Sequence, residues 1–235
     1  MRSALLTCSL LPAIVGAQAL PYRRVEALGP AVPDGSAYPY GLTDDGWALI
    51  ATEASNLNAP ARFPGQFYFR SPEGTLIRIP LERAGEEAKA PWVGILSRDG
   101  AFAVMGGPLT PLVLVNRAGP TVRLLPSNTM RHIPIGIVGR QVFSTDGYST
   151  TLVKTDLDTG AETIYPPLPE TSGSPIRISP DGTKAIYSAG FAFFVRNLSN
   201  GLVRKVFFNS PVGSAVVDSD GRYAWIETVF PGNQG

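Results

Sequence analysis

Short runs of alternating apolar and polar residues, separated by turns that contain Gly and Asp, recur along most of the chain. In residues 174–188, isoleucines alternate with Arg177, a turn follows at Asp181-Gly182, and a second apolar stretch comes after the turn. Alternation with a period of two is typical of a half-buried strand, and Asp-Gly is a common hairpin turn. The segment therefore predicts two antiparallel strands joined by a tight turn.

The same strand–turn–strand unit recurs about every 40 residues, after a longer first interval. Its turns, or their equivalents, lie at Gly46, Gly100, Arg140, Gly182 and Gly221. A second hairpin inside each unit turns at Gly74, Gly119, Gly160 and Gly201. Two hairpins per repeat make a four-stranded antiparallel blade, so the chain is predicted to be an all-β protein, a β-propeller. A β-sandwich is the alternative, but it gives no reason for so regular a period.

The repeat predicts four complete blades and the beginning of a fifth. The four blades cover about 37–82, 92–126, 134–166 and 174–208, and the fifth opens near residue 212. The pattern stops before the third strand of the fifth blade, which favours the front part of a longer propeller of roughly six to eight blades. A smaller ring, closed by residues 21–28 as a strand of the last blade, is the alternative.

The first 19 residues have the pattern of a secretory signal peptide. Arg2 provides a positive start, an apolar run covers residues 4–15, and Ala17-Gln18-Ala19 places small residues where a signal peptidase reads them. This predicts cleavage after Ala19 and export to the periplasm or the cell exterior, with no membrane span afterwards. The apolar run is too short for a membrane anchor, which needs about 20 residues. The predicted organisation is a signal peptide (1–19), an N-terminal segment (20–36) and an incomplete propeller (37–235).

Composition and charge exclude several classes of protein. The 20 Lys and Arg residues against 19 Asp and Glu leave a net charge of +1, which argues against a nucleic-acid binder that relies on neutralising phosphates. Cys8 is the only cysteine and His132 the only histidine. A disulfide framework, a Cys/His zinc cage and a multi-histidine centre are therefore excluded, and the sequence predicts no cofactor and no metal.

The turn sequences resemble those of a known repeat family. Ser179-Pro180-Asp181-Gly182 is similar to the S-P-D-G turn of the TolB-like, WD40-like PD40 repeats, and near copies lie at 97–100 and 218–221. A weaker copy lies at 43–46, and the third unit lacks the motif. The resemblance covers about residues 37–230 and implies the propeller fold. It implies no particular activity, because such repeats occur in exported proteins of unrelated function.

Few residues have the pattern of a catalytic or metal site. His132 would have to be the base of any Ser-His-Asp triad, and the chain has no G-x-S-x-G nucleophile elbow. The segment 156–162 superficially resembles a calcium loop but lacks the further ligands and the glycine position of an EF-hand. The predicted innermost strands carry mainly apolar and small residues, with Arg177 as the exception. We therefore expect that the protein is not an enzyme.

The candidate binding surface is one face of the predicted propeller. Hairpin turns should project to one face, here called the turn face, and the second-to-third-strand and inter-blade loops to the other, the loop face. The loop face carries a long insertion at 52–66, and loops longer than a fold needs are often functional. The candidate partner-binding residues on it are Arg62, Phe63, Trp92, Arg131 and His132.

Two functions fit this surface. The first is a non-catalytic, exported interaction or scaffold module that binds a protein or a cell-envelope component. The alternative is a propeller enzyme of the lyase, lactonase or quinone-dependent dehydrogenase type, with a channel site completed by further C-terminal sequence. An enzyme should place convergent His, Glu, Asp or Arg side chains on the innermost strands, and the sequence offers few there, which favours the binding module.

Overall fold

A computed structural model describes most of the predicted propeller. The described residues are 37–53, 64–85, 91, 93–107, 110–125, 133–145, 151–168, 176–209, 211–217 and 224–228. The predicted signal peptide, the N-terminal segment 20–36 and the proposed closing strand 21–28 lie outside these residues. Among the described residues, no helix is long and apolar enough to cross a membrane.

The described residues form antiparallel strands throughout, with one short 3₁₀ helix at Leu81–Ala84. The strands in chain order are β1 (Ala37–Leu42), β2 (Ala48–Glu53), β3 (Pro64–Arg70), β4 (Leu76–Arg78), β5 (Val93–Leu96), β6 (Phe102–Gly107), β7 (Thr110–Asn116), β8 (Val122–Leu124), β9 (Ile133–Val138), β10 (Gln141–Thr145), β11 (Leu152–Asp156), β12 (Glu162–Ile164), β13 (Arg177–Ile178), β14 (Lys184–Ala189), β15 (Ala192–Asn197), β16 (Val203–Phe207), β17 (Val212–Val217) and β18 (Ala224–Thr228).

These strands form consecutive sheets that match the predicted blades. Four sheets contain four strands each, paired in chain order as β1–β4, β5–β8, β9–β12 and β13–β16, and β17 pairs with β18 in a two-stranded sheet. The prediction of four complete blades followed by the first strands of a fifth is confirmed. The turn of the third blade, which lacks the S-P-D-G motif, closes at Gly139-Arg140 with a glycine φ of 56°.

Neighbouring sheets contact one another through their first strands, which are the innermost ones. β1 contacts β5, β5 contacts β9, β9 contacts β13, and the fifth sheet contacts the fourth through β14 and β17. Glycine permits close approach at these contacts. A Cβ on Gly41 would lie 2.8 Å from the Cβ of Leu96, and a Cβ on Gly94 would lie 2.8 Å from Cδ2 of Leu49. The first and fifth sheets share no comparable interface among the described residues.

The apolar core lies between the sheets. Along β6, Ala103 and Met105 pack in the cluster shared with the first blade, whereas Phe102 and Val104 pack in the cluster shared with the third. Successive side chains of a strand point to opposite faces, so alternate residues of β6 serve two different interfaces. Every residue of β6 is therefore buried, while the outer strands β4, β8, β12 and β16 have mostly exposed or half-buried side chains.

Candidate functional site

The five residues predicted to bind a partner on the loop face lie outside the described residues. Arg62 and Phe63 belong to the undescribed part of the 52–66 insertion, and Trp92, Arg131 and His132 lie in undescribed positions between blades. The loop-face hypothesis therefore stays a prediction. The described residues bring a different group of side chains together, on the turn face.

The S-x-D-G turns have a well-defined hydrogen-bond pattern. In the second blade, Ser97 Oγ donates to Asp99 Oδ1 at 2.6 Å and accepts the backbone N–H of Phe102 at 3.1 Å. Asp99 Oδ1 also accepts the backbone N–H of Ala101 at 3.0 Å. Gly100 closes the turn with a φ of 64°, a conformation that other residues rarely adopt. The motif that carried the family resemblance thus builds the turn itself.

The turn of the fourth blade repeats this arrangement. Ser179 Oγ donates to Asp181 Oδ1 at 2.5 Å and accepts the N–H of Lys184 at 2.9 Å, while the N–H of Thr183 donates to Asp181 at 3.0 Å. Both serines are buried. In the first blade, Thr43 takes the place of serine and donates to Asp45.

These hydrogen bonds stabilise the ionised form of the turn carboxylates. The Ser179 hydroxyl and then the Thr183 N–H lower the pKa of Asp181 from 3.8 to about 2. The pKa of Asp99 is lowered in the same way, first by the Ser97 hydroxyl and then by the N–H of Ala101. Carboxyl groups of this kind remain ionised near neutral pH, so they are poorly matched to donating or accepting a proton there.

The turns of the first three blades border an open cleft of about 360 Å³. The residues that line it are Asp44, Ser97, Arg98, Asp99, Phe102, Ile137 and Gly139. The lining thus comes from the first hairpin of each of these blades. We call this surface the turn-face cleft.

Two exposed charges of opposite sign lie in the turn-face cleft. Asp44 and Arg98 occupy the variable second position of their turns, and neither has a hydrogen-bond or ion-pair partner within the described part of the chain. The half-buried Ile137 supplies apolar surface beside them, and the buried Phe102 forms part of the cleft wall. Arg140 lies over the Phe102 ring, with its Cζ 4.9 Å from the ring centroid. The cleft can therefore accept a ligand that carries both charges and an apolar group.

The turn-face cleft was not predicted from the sequence, although the turns that form it carry the signature of the fold. The predicted binding residues lie instead in segments assigned to the loop face. The available signal was the variable position of the S-x-D-G motif, which is Asp44 in the first blade, Arg98 in the second and Pro180 in the fourth. A position that the turn does not constrain is free to carry binding chemistry.

The calcium-like segment and Arg177 also have definite places in the structure. Asp156 Oδ1 accepts the backbone N–H groups of Asp158 and Thr159, and Asp158 pairs with Arg140 Nη2 at 2.6 Å. Those carboxylates are engaged in a hairpin turn and an ion pair. Arg177 is exposed on β13. Among the described residues, no group of three or more His, Cys, Asp or Glu side chains could hold a metal ion.

Comparison with known proteins identifies the fold. No protein-family model matches the chain, and no curated protein matches it significantly. A crystal structure of the tricorn protease matches with a TM-score of 0.54 and 16% identity over 81% of this chain. A putative TolB from Agrobacterium tumefaciens matches with a TM-score of 0.51 and 16% identity over 82% of this chain. The chain has a TolB-like β-propeller fold.

This propeller fold is the one that the S-P-D-G turns predicted. The chain spans 18% of the tricorn protease chain and 80% of the TolB chain. At such low identity the similarity establishes architecture, and a propeller can host many unrelated functions. Function must therefore be argued from the propeller's own surface.

Proposed function

We propose that this propeller is a non-catalytic, exported interaction module that binds a protein, or a protein-containing component of the cell envelope, through the turn-face cleft. The observation that carries the proposal is that Asp44 and Arg98, which have no hydrogen-bond or ion-pair partner among the described residues, lie in one cleft with the apolar surface of the half-buried Ile137. The ligand class that best fits this surface is a polypeptide segment.

Charge is the first reason for choosing a polypeptide. A polymer with charges of one sign, such as a nucleic acid or an anionic polysaccharide, would be attracted by one of the two charged side chains and repelled by the other. A peptide can present a basic group to Asp44 and a carboxylate to Arg98. It can also place an apolar side chain against the half-buried Ile137, because burial of apolar area contributes to most protein association.

The chemistry of the lining supports binding without catalysis. Ser97 is the hydroxyl group in the cleft, but it is 3% exposed and is held between Asp99 and the N–H of Phe102. The lowered pKa of Asp99 makes this carboxylate a weak general base near neutral pH. Because both side chains are engaged in the hydrogen bonds of the turn, this Ser–Asp pair is poorly arranged to act as a nucleophile and its general base.

A displayed library of random heptapeptides, selected on the purified protein, tests the proposal. We expect the enriched peptides to contain an acidic and a basic residue close to a large apolar one. These peptides should bind the Asp44→Lys/Arg98→Glu double variant at least about tenfold more weakly, which corresponds to about 1.4 kcal/mol. Exchanging the two charges leaves the net charge of the protein unchanged.

The matched control is Arg177→Glu, which alters an exposed arginine on β13, outside the cleft lining. It should bind the enriched peptides as the unaltered protein does. Failure to enrich any peptide would overturn the proposal. Equal binding to the double variant and the unaltered protein would overturn it as well, because the cleft would then not be the binding surface.

Export is part of the proposal and rests on residues 1–19. The positive start, the apolar run and the small residues Ala17 and Ala19 support cleavage by a signal peptidase. N-terminal sequencing of the protein from its source should give Leu20 as the first residue. Retention of Met1 in the cytoplasmic fraction would contradict export without affecting the cleft.

A further inference from the structure

The outer strand of the fourth blade differs from the other outer strands. β16 contains five residues, whereas β4, β8 and β12 contain three each. It is the last strand of its sheet, with β15 as its pairing partner. β16 thus offers the longest outer edge among the four four-stranded sheets.

Large apolar side chains are exposed along β16. Phe207 is 71% exposed and Val206 is 50% exposed, and Phe191, in the adjoining turn between β14 and β15, is 54% exposed. The N–H of Phe208 donates to the carbonyl of Phe191 at 2.8 Å, which joins this turn to the end of the strand. We call β16 together with Phe191 the blade-4 edge. Because successive side chains of a strand lie on opposite faces, Val206 and Phe207 leave apolar surface on both faces of this edge. Exposed apolar residues on a strand edge mark a place where another chain can bind.

The pairing register shows which backbone groups of β16 face outward. The N–H of Asn197 donates to the carbonyl of Leu202, and the N–H of Phe208 donates to Phe191 at the other end of the pair. The register between these positions is continuous. Hydrogen-bonded residues alternate along an antiparallel strand, so the even-numbered residues bond to β15. The N–H and C=O groups of Val203 and Phe207 therefore point away from the sheet.

The charge of this region has one sign. Residues 182–217 contain four basic residues and no Asp or Glu, although the whole chain has 20 basic and 19 acidic residues. Arg204 and Lys205 lie exposed on β16 itself. Lys205 Nζ lies 4.6 Å from the centroid of the Phe207 ring, so positive charge and apolar surface coincide.

We propose that the blade-4 edge binds an extended acidic segment of a partner protein, which adds a fifth strand to the sheet. Main-chain hydrogen bonds to outward-facing groups supply affinity in this mode of recognition, and the side chains supply specificity. Successive side chains of a strand lie on opposite faces, so Arg204 and Phe207 lie on opposite faces of the sheet. An added strand with alternating acidic and apolar residues would place its acidic residues beside Arg204 on one face and its apolar residues beside Phe207 on the other.

Two other occupants fit the blade-4 edge less well. A second copy of this chain would bring the two basic strands together, and like charges across paired strands are destabilising. An anionic lipid surface would match the charge, but apolar surroundings would leave the outward backbone groups of β16 without hydrogen-bond partners. An extended acidic peptide can pair with the basic side chains of β16 and also form hydrogen bonds with its outward N–H and C=O groups. This proposal does not depend on the turn-face cleft.

Fluorescence anisotropy with a labelled, end-capped Glu-Val-Glu-Val-Glu-Val peptide tests the proposal on the purified protein. We expect saturable binding that weakens with salt, and no comparable binding of a Lys-Val-Lys-Val-Lys-Val peptide. Arg204→Glu should weaken binding of the acidic peptide about tenfold or more. Phe207→Ala should weaken it less than Phe207→Pro, which also removes an outward N–H without removing a bond to β15.

The matched controls lie on β12, the outer strand of the third blade. Ile164 is 57% exposed, and the N–H of Tyr165 bonds to Leu152, so the N–H of Ile164 points outward as that of Phe207 does. Ile164→Ala and Ile164→Pro should leave peptide binding unchanged. Unfolding midpoints for all the variants show whether each one is folded.

Three results would overturn the proposal. The first is no saturable binding of the acidic peptide by the folded protein. The second is equal loss of binding in the Ile164 and Phe207 variants. The third is binding of phosphatidylglycerol vesicles, but not of the peptide, with the same dependence on Arg204, which would identify a lipid-binding patch.

Discussion

Arg117 of the second blade lies over the indole ring of Trp47 in the first, with its Cζ 4.0 Å from the ring centroid. The backbone N–H of Arg117 donates to the carbonyl of Ala101 at 2.9 Å, which holds the arginine beside the second blade's own turn. The contact joins the second hairpin of the second blade to the first hairpin of the first blade. A cation over an indole face contributes about 0.5–1 kcal/mol at exposed sites and more where water is excluded.

A double-mutant cycle measures this contact directly. Arg117→Ala and Trp47→Leu should each lower the free energy of urea unfolding, and the coupling between them should be about 0.5–1 kcal/mol. Arg98→Ala is the control, because Arg98 is exposed and lacks a hydrogen-bond or ion-pair partner among the described residues. It should change stability by less than about 0.5 kcal/mol. Zero coupling between Arg117 and Trp47 would contradict the stacking.

The glycines of the innermost strands should differ in their tolerance of alanine. A Cβ at Gly41 would meet the Cβ of Leu96, which cannot move without its backbone, whereas a Cβ at Gly94 would meet the end of the Leu49 side chain, each at 2.8 Å. Overpacking a core costs about 1–3 kcal/mol. Gly41→Ala should therefore destabilise the protein more than Gly94→Ala. Leu49→Val should partly rescue Gly94→Ala, and a lack of rescue would show that the contact does not cause the loss.

Asp181 should make stability depend on pH in the acidic range. The pKa of Asp181 in the folded protein is about 2, below the ordinary 3.8. The stabilisation that its ionised carboxylate provides is therefore complete above about pH 4 and is lost as the pH falls towards 2. Asp181→Asn should lower the free energy of unfolding at pH 7 by about 0.5–1 kcal/mol, because the half-exposed carboxylate is partly screened by water. The difference in the free energy of unfolding between the unaltered protein and Asp181→Asn should become smaller as the pH falls from 4 to 2.

Urea unfolding at several pH values measures that difference. Asp44→Asn is the matched variant, since it removes one carboxylate from an equivalent turn without removing a hydrogen bond found among the described residues. A difference between Asp181→Asn and the unaltered protein that grows as the pH falls would have the wrong sign. It would show that the Ser179 hydrogen bond does not favour the ionised carboxylate.

Arg196 holds the connection that enters the fourth blade. Its Nη1 donates to the carbonyls of Pro166 and Pro167 at 2.7 and 3.0 Å, and the residue is 6% exposed. Hydrogen bonds to charged groups contribute about 1.5–3 kcal/mol each, so Arg196→Leu should destabilise the protein by at least about 2 kcal/mol in thermal or urea unfolding. Arg177→Leu, an exposed arginine on β13, should have little effect. Equal effects of the two substitutions would contradict a bridging role for Arg196.

Local chemistry explains why the blades could be predicted from the sequence. A turn such as Ser179–Gly182 is complete within a few residues, because its hydroxyl, carboxylate and positive-φ glycine all act on the same hairpin. The third blade lacks the motif, yet Gly139-Arg140 still closes its hairpin. The regular spacing and the alternation of apolar residues are therefore sufficient to locate the strands.

The turn-face cleft could not be predicted in the same way. Asp44, Arg98 and Ile137 come from three different blades and lie together because of the packing of successive sheets. That packing depends on close approach at Gly41 and Gly94, which no pattern within one repeat reveals. The sequence identified the residues of the turns correctly, but their juxtaposition is a tertiary property.

The placement of the apolar clusters between sheets has a consequence for how the propeller opens. Each apolar cluster is shared by two successive blades, so a single blade has no complete core of its own. The stability of each blade therefore comes largely from its interfaces with the neighbouring blades, here called junctions. Amide protons of β6, which contributes to two junctions, should exchange with solvent only when both neighbouring junctions are lost. The protection of β6 therefore depends on its contacts with both the first and the third blade.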